Sequence, residues 1–311
     1  MLDTHVNVWW RTQFVVLAAI WGSSYLFIKV LGRHWPALWV AFGRIALGAL
    51  TLVVLMALRR ERLPSDRRVW LHCAVVALVF NAAPWTLFAY GEQHTSSIVA
   101  GLWNATAPIW VLIVTLIAFA EERPTRSPIV GLAVGFIGAV TLLGPWRGLG
   151  GGELIGHAAC AAAAACYGLA FPYTRRHLAG RPEGGVVLSA CQLLCATAIL
   201  AVFVPLAGLP TGHIGLDGVG SLLALGMLGS GVAFALNHAI VRARGATAAS
   251  TVGYLIPVFS TVLGAAVLGE TLHWNQAVGA VILLAGIAGA QGLVGIRIPA
   301  LTSALARQTS R

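Results

Sequence analysis

Polar and aromatic side chains recur at helical spacing inside long apolar stretches of this 311-residue chain. Asn81, Pro84, Trp85 and Phe88 share one helical face. Trp103, Ala107 and Trp110 share another, with Asn104 one step round. Ser230, Phe234 and Asn237 form a third face, and Thr247, Thr251, Tyr254 and Thr261 a fourth. Trp21, Ser24 and Tyr25 resemble in character Tyr167, Phe171 and Thr174 much later in the chain. Rings can hold the apolar body of a small solute, and amides or hydroxyls its polar end. This is binding chemistry. The sequence contains no convergent acid–base or metal set and no glycine-rich phosphate loop, which argues against an enzyme. The five cysteines lie in apolar segments without metal-ligand spacing, so neither metal nor cofactor is expected.

Each of these residues also has a plainer reading. Trp85, Trp103 and Trp110 could be packing or lipid contacts. Asn81 and Asn237 could glue two helices together. Trp9, Trp10, Trp35, Trp39, Trp146 and Trp274 lie near segment ends and read as an interfacial belt. Ala161–Ala165 and most glycines, including Gly131, Gly135 and Gly138, read as close-packing devices.

The elements that must position these groups are membrane helices. Hydrophobic residues make up 58% of the chain and charged residues 10%, with a mean hydropathy of +0.84, well beyond what a soluble core requires. The net charge of +10 comes from short arginine clusters between apolar runs, which fits loops rather than a nucleic-acid face. A crossing needs roughly 20 apolar residues. The pattern predicts ten spans, at 14–32, 36–58, 69–91, 95–120, 127–145, 153–176, 184–206, 216–241, 246–269 and 273–295. With the N-terminus inside, sixteen arginines fall on the cytoplasmic side and only Arg33 and Arg147 outside. Both termini are thus expected in the cytoplasm, with 298–311 a cytoplasmic tail. No cleavable signal is read at the start, because further spans follow the first.

The chain also repeats itself. Pro108 is followed thirteen residues later by Glu121, and Pro257 thirteen residues later by Glu270. Glycines follow in step, at 131, 138 and 144 and at 279, 286 and 292. Trp21-Gly22 and Tyr167-Gly168 repeat more weakly. Five spans per half is an odd number, so the second copy should be inserted upside down. The expected fold is all-α, with ten transmembrane helices in two inverted five-helix repeats at 14–145 and 153–295. Glu121 and Glu270 would then mark opposite mouths, as helix-end anchors or gate partners. Pro84, Pro108 and Pro257 would kink or hinge their helices, each removing a backbone donor.

Trp21-Gly22-Ser23-Ser24-Tyr25 with Lys29, Arg44 in the second span, and the two proline–glutamate phrases resemble EamA-type members of the drug/metabolite transporter superfamily. The resemblance covers roughly 14–295. It departs at Glu121-Glu122-Arg123-Pro124, where the glutamate-to-glycine spacing is one residue longer than in the second half. The resemblance implies a ten-helix carrier with a central cavity, in the plasma membrane of a bacterium. It points to export of neutral metabolites, foremost aromatic or other neutral amino acids, by alternating access. A carrier of drugs or sugar-type metabolites is the alternative, and a non-transporting structural or receptor protein is the reading from another class. The implied partners are a small-molecule substrate and the lipid bilayer; one chain holding both repeats favours a monomer.

A site in such a carrier lies near the bilayer midplane. The cavity candidates are Trp21, Asn81, Trp85, Trp103, Tyr167, Phe171, Ser230, Phe234, Asn237 and Tyr254. All ten carboxylates fall at span ends or in loops, which argues against a mid-membrane acidic proton relay. His157 and His238 could titrate instead, or serve structurally. Arg44 lies roughly 12 Å below the outer end of its span. A structural role is favoured for it over attraction of a substrate carboxylate, because that span is peripheral in the family it resembles. Lys29 would snorkel to the outer surface.

Overall fold

The structure is a computed structural model and describes residues 2–118, 126–147, 150–210 and 214–290. Every regular element among the described residues is helical. In chain order they are α1 (Leu2–Gly32), α2 (Ala37–Leu58), α3 (Arg67–Val76), α4 (Ala83–His94), α5 (Ser97–Asn104), α6 (Ala107–Ala118), α7 (Arg126–Leu143), α8 (Gly151–His177), α9 (Gly185–Phe203), α10 (Leu216–Leu223), α11 (Ala233–Ser250), α12 (Ile256–Leu268) and α13 (Trp274–Ala290). Among the described residues seven helical runs are long and apolar enough to cross a membrane, and Ala133–Arg147, Val252–Leu268 and Trp274–Gly289 are shorter apolar helices. Large apolar side chains such as Leu50, Ile117, Phe136 and Val281 are exposed on their outer faces. That is the pattern of helices solvated by lipid, which needs no polar rim along its length.

Two runs change pitch in the middle. A π-helical segment, Ala77–Ala82, joins α3 to α4, and a second, Ala224–Val232, joins α10 to α11. The Ala83 N–H reaches back five residues to Leu78 O, and Ala233 N–H to Leu228 O. Each wider turn absorbs an extra residue and rotates everything after it, a device common at functional sites. In the first run it comes just before Pro84, whose missing N–H would otherwise leave a gap in the ladder.

The expected proline kinks take a different form. Pro84, Pro108 and Pro257 each stand second in a helical segment, α4, α6 and α12. For Pro108 and Pro257, which follow a break in the α-helix, the missing N–H costs little and the fixed φ suits the start of a helix. Between α5 and α6 the helix breaks at Ala105 and Thr106. The corresponding stretch before α12 is a 3₁₀ turn, Thr251–Tyr254. Pro108 and Pro257 therefore restart helices, whereas Pro84 stays inside the continuous helical run Arg67–His94, directly after its π segment. Upstream, α11 carries Gly245 at φ +85°, ψ 167°, a conformation open essentially to glycine alone.

Corresponding positions of the two halves meet in reciprocal pairs. A Cβ added to Gly22 on α1 would strike Phe259 on α12, and one added to Gly168 on α8 would strike Trp110 on α6. Phe259 and Trp110 each stand two residues after Pro257 and Pro108. Likewise α7 and α13 cross at backbone contact: a side chain at Gly138 would meet Gly279 O, and one at Gly279 would meet Gly138 O. Small residues let apolar helices approach this closely in lipid, where dispersion rather than burial holds them together.

Candidate functional site

Arg44 on α2 is only 7% exposed. Its Nε donates to Ser230 Oγ at 3.0 Å, and its guanidinium lies 3.8 Å from the centroid of the Trp85 ring. The π segment Ala224–Val232 carries Ser230 to this position, and Gly229 beside it keeps the approach open. A Cβ there would lie 3.2 Å from Ser24 Oγ and 4.0 Å from an Nη of Arg44. Trp85 in turn donates from Nε1 to the Tyr167 hydroxyl at 3.2 Å. Around these groups the rings interlock. Tyr25 meets Phe88 at 5.7 Å, Phe80 meets Tyr167 at 5.3 Å and Phe171 at 5.3 Å, and Phe234 lies 6.4 Å from both Phe80 and Trp85. Helices α1, α2, α4, α8 and α11 each supply part of this chamber.

Among the described residues no carboxylate forms an ion pair with Arg44; the charged pair that does form is Arg181–Asp66, while Glu153 lies 4.0 Å from His157, whose Nδ1 accepts from Trp103. The Trp85 face offsets part of the cost of burying the charge, by about 2 kcal/mol for a desolvated cation–π contact. A guanidinium has five N–H donors in a planar fork. One hydroxyl acceptor leaves most of that fork unused. A carboxylate is the group that matches it, through two parallel charge-assisted hydrogen bonds.

The structure gathers Trp85, Tyr167, Ser230 and Phe234 here. Phe171 touches the chamber through Phe80 and Tyr167 but is 48% exposed. Asn81 is fully buried, and its Oδ1 accepts from Gln192 Nε2 of α9, while its own Nδ2 has no hydrogen-bond partner. Trp103 donates from Nε1 to His157 Nδ1 at 2.9 Å, which occupies both groups with each other. Trp21 is half-buried between the apolar clusters around Tyr25 and around Leu17. Tyr254 packs beside Ile109 and Leu283. Asn237 is half-buried one turn beyond Phe234. His238 meets the Ser189 hydroxyl through Nε2 at 2.8 Å.

A second group of charges sits one turn along from the chamber, where α1 and α4 end. Lys29 Nζ donates to the backbone carbonyls of Glu92 and Thr95, the latter at 2.6 Å. It thereby caps the C-terminus of α4 instead of snorkelling free, a favourable place for a cation. Glu270, just past α12, accepts from Ser97 N at 2.9 Å, Ser97 Oγ at 2.8 Å and Ile98 N at 3.1 Å. Its carboxylate satisfies orphan donors at the N-terminus of α5, where negative charge is favoured. Ser96 caps the same helix by accepting from Val99 N at 3.2 Å. Glu121 lies outside the described residues. Glu92 also stands near the end of its helix, as its span-end position implies, but its side chain is 1% exposed and neither carboxyl oxygen has a hydrogen-bond partner.

Sequence reasoning placed Arg44 in a structural role and passed over Phe80. Helical spacing puts Phe80 off the Trp85–Phe88 face; the π segment rotates it in. The available signals were a lone arginine deep in an apolar span and a proline two residues after an asparagine–alanine pair.

The EamA-like transporter family model matches the chain twice, over residues 8–144 and 154–290. The chain belongs to the EamA-like transporter family. It is a multi-pass integral membrane transporter rather than an enzyme. Among its relatives is the "Uncharacterized inner membrane transporter YedA" of Escherichia coli (strain K12), 27% identical over 260 residues and covering 82% of each chain. Another is the "Uncharacterized transporter YoaV" of Bacillus subtilis (strain 168), 22% identical over 275 residues, covering 88% of this chain and 93% of that one. One crystal structure of a protein at 21% identity aligns over 96% of this chain and 98% of that chain, with a TM-score of 0.62; it supports the fold.

Proposed function

We propose that this EamA-family transporter exports small neutral metabolites, foremost aromatic or other neutral amino acids, across the bacterial inner membrane. The observation that carries this reading is Arg44, a buried guanidinium with no carboxylate of its own, lying on Trp85 within a shell of rings. A zwitterionic amino acid is neutral overall yet brings the carboxylate that the fork lacks, together with an apolar side chain for Trp85, Tyr167, Phe80 and Phe234. Ten spans in two inverted halves, with both termini inside, would let the protein open to either side by exchanging the conformations of its halves. The reciprocal Gly22–Phe259 and Gly168–Trp110 contacts support that equivalence. In this conformation the rings touch one another, so a substrate enters by parting them. The Glu270 bonds to α5 hold the outer mouth shut, and releasing them is part of opening it.

The test is counterflow in proteoliposomes with labelled tryptophan, phenylalanine and leucine, beside a labelled sugar and a lipophilic cation. Exchange of the amino acids, lost in Arg44→Ala, is the expected result. Amino acids that stay put while the sugar or the cation moves would replace this reading with the alternative carrier. If no solute moves at all, the transport assignment of the chamber is wrong.

A further inference from the structure

Glu92 is the buried charge-bearing group that the chamber does not use. It stands four residues after Phe88 and seven after Trp85 on α4, so it lies on the helical face that lines the chamber, one turn further along. Lys29 stands four residues after Tyr25 on α1, and Tyr25 meets Phe88 edge to face. A layer holding Lys29 and Glu92 is thus stacked directly on the layer of Tyr25 and Phe88. Within that layer the ammonium is bound to backbone carbonyls, including that of Glu92 itself, and no ion pair joins it to the Glu92 carboxyl.

The other titratable or charged groups facing this layer are few. Tyr25 and Lys29 come from α1, Arg44 from α2, and Glu270 from the segment after α12. Cys160 comes from α8, packed against Gly91, and His157 of the same helix is engaged by Trp103. His94 on α4 itself bonds back to Tyr90 O. None of them donates a hydrogen bond to the carboxyl. A carboxylate in apolar surroundings without donors is costly, whereas the neutral acid is tolerated. The charged form becomes acceptable when Lys29 leaves the carbonyls and turns to it, or when the mouth opens to water.

We infer that Glu92 is a proton-carrying group that couples proton movement to substrate movement. The exchange balances simply. With the mouth closed the carboxyl holds its O–H; when the mouth opens, that bond breaks, the proton passes to water and Lys29 meets the carboxylate. Reprotonation restores the closed arrangement. The inference deepens the transport reading and rests on it for the coupling, but proton binding at Glu92 can be tested without any substrate.

The first measurement is the infrared spectrum of purified protein in liposomes, followed as the pH is raised. A protonated-carboxyl C=O band that disappears on alkalinisation is expected in the wild type, absent in Glu92→Gln and retained, shifted, in Glu92→Asp. Such a band unchanged in Glu92→Gln would overturn the inference. So would the lack of any such band. The second is accumulation of labelled tryptophan driven by a pH gradient, with counterflow as the control. Glu92→Gln should lose gradient-driven accumulation down to the level of protein-free vesicles while still exchanging tryptophan. Full gradient response in that variant sinks the coupling. If no amino acid moves yet the band behaves as expected, the substrate assignment fails and proton binding at Glu92 stands.

Discussion

Lys29 and Glu270 differ from Arg44 and Glu92 in one respect, although all four are ionisable groups inside the same helical bundle. Lys29 is held by two carbonyls, and Glu270 by three donors at the start of α5. Arg44 has one hydroxyl and a ring face, and Glu92 has no hydrogen-bond partner at all. The first two close helix ends that would otherwise be unsatisfied in lipid. The second two stand on faces that line or adjoin the aromatic chamber. A charge whose bonds are made by the protein serves the fold. A charge left open in a medium that penalises it is available to something that arrives.

The largest expected effect that follows is at Arg44. Arg44→Met should abolish amino-acid counterflow while leaving the unfolding midpoint in mixed micelles equal to or above that of the wild type. Removing an unpaired buried charge in favour of a similar apolar volume is neutral or stabilising. A marked loss of stability would move Arg44 into the same class as Lys29 and Glu270, and the contrast would break. Arg44→Lys should restore little, because an ammonium neither stacks on Trp85 nor presents a fork.

Glu270 should behave in the opposite way. Glu270→Ala strands two backbone N–H groups and the Ser97 hydroxyl, and should cost about 3 kcal/mol, measured by denaturant titration in mixed micelles. Because these bonds join the end of α12 to the start of α5, the variant should also let these two helices part more readily. A cysteine placed at Ser97 alongside Glu270→Ala should react faster with a membrane-impermeant thiol reagent than the same cysteine alone. Unchanged stability together with unchanged reactivity would remove Glu270 from the closing contact.

Much of this was legible in the chain. Apolar run length pointed to a multi-pass helical protein, with seven membrane-length runs and three shorter apolar helices among the described residues, and the repeated proline–glutamate phrase pointed to the two matched halves, because both are local properties of the sequence. Trp85 and Phe88 share a face of α4 as their spacing implies, since residues after a pitch change still keep ordinary spacing among themselves. What stayed hidden were relations across that change and between distant segments. Phe80 reaches the chamber only through the extra residue of the π segment. Asn81 is turned toward Gln192 of α9, and Trp103 toward His157 of α8; neither partner can be found from spacing within one helix. Glu92 looks like an ordinary span-end acid, because its burial is set by α1, α8 and the segment after α12 rather than by its neighbours in sequence.

Lys29 provides the smallest and most discriminating test of the contrast. Its two acceptors are the carbonyls of Glu92 and Thr95, at the end of α4 where the helix dipole is negative. Lys29→Met keeps the apolar stem and removes the charge, so the expected cost is about 1–2 kcal/mol for two charged hydrogen bonds at a half-buried site. Counterflow of tryptophan should continue, because the ammonium does not reach the chamber. Gradient-driven accumulation should fall, because the Glu92 carboxylate loses the one cation of its own layer that can turn toward it. Should both transport modes instead survive intact with stability unchanged, Lys29 would be a bystander. Should both vanish with stability unchanged, Lys29 would belong with Arg44 and Glu92, and the line between satisfied and open charges would have to be drawn elsewhere.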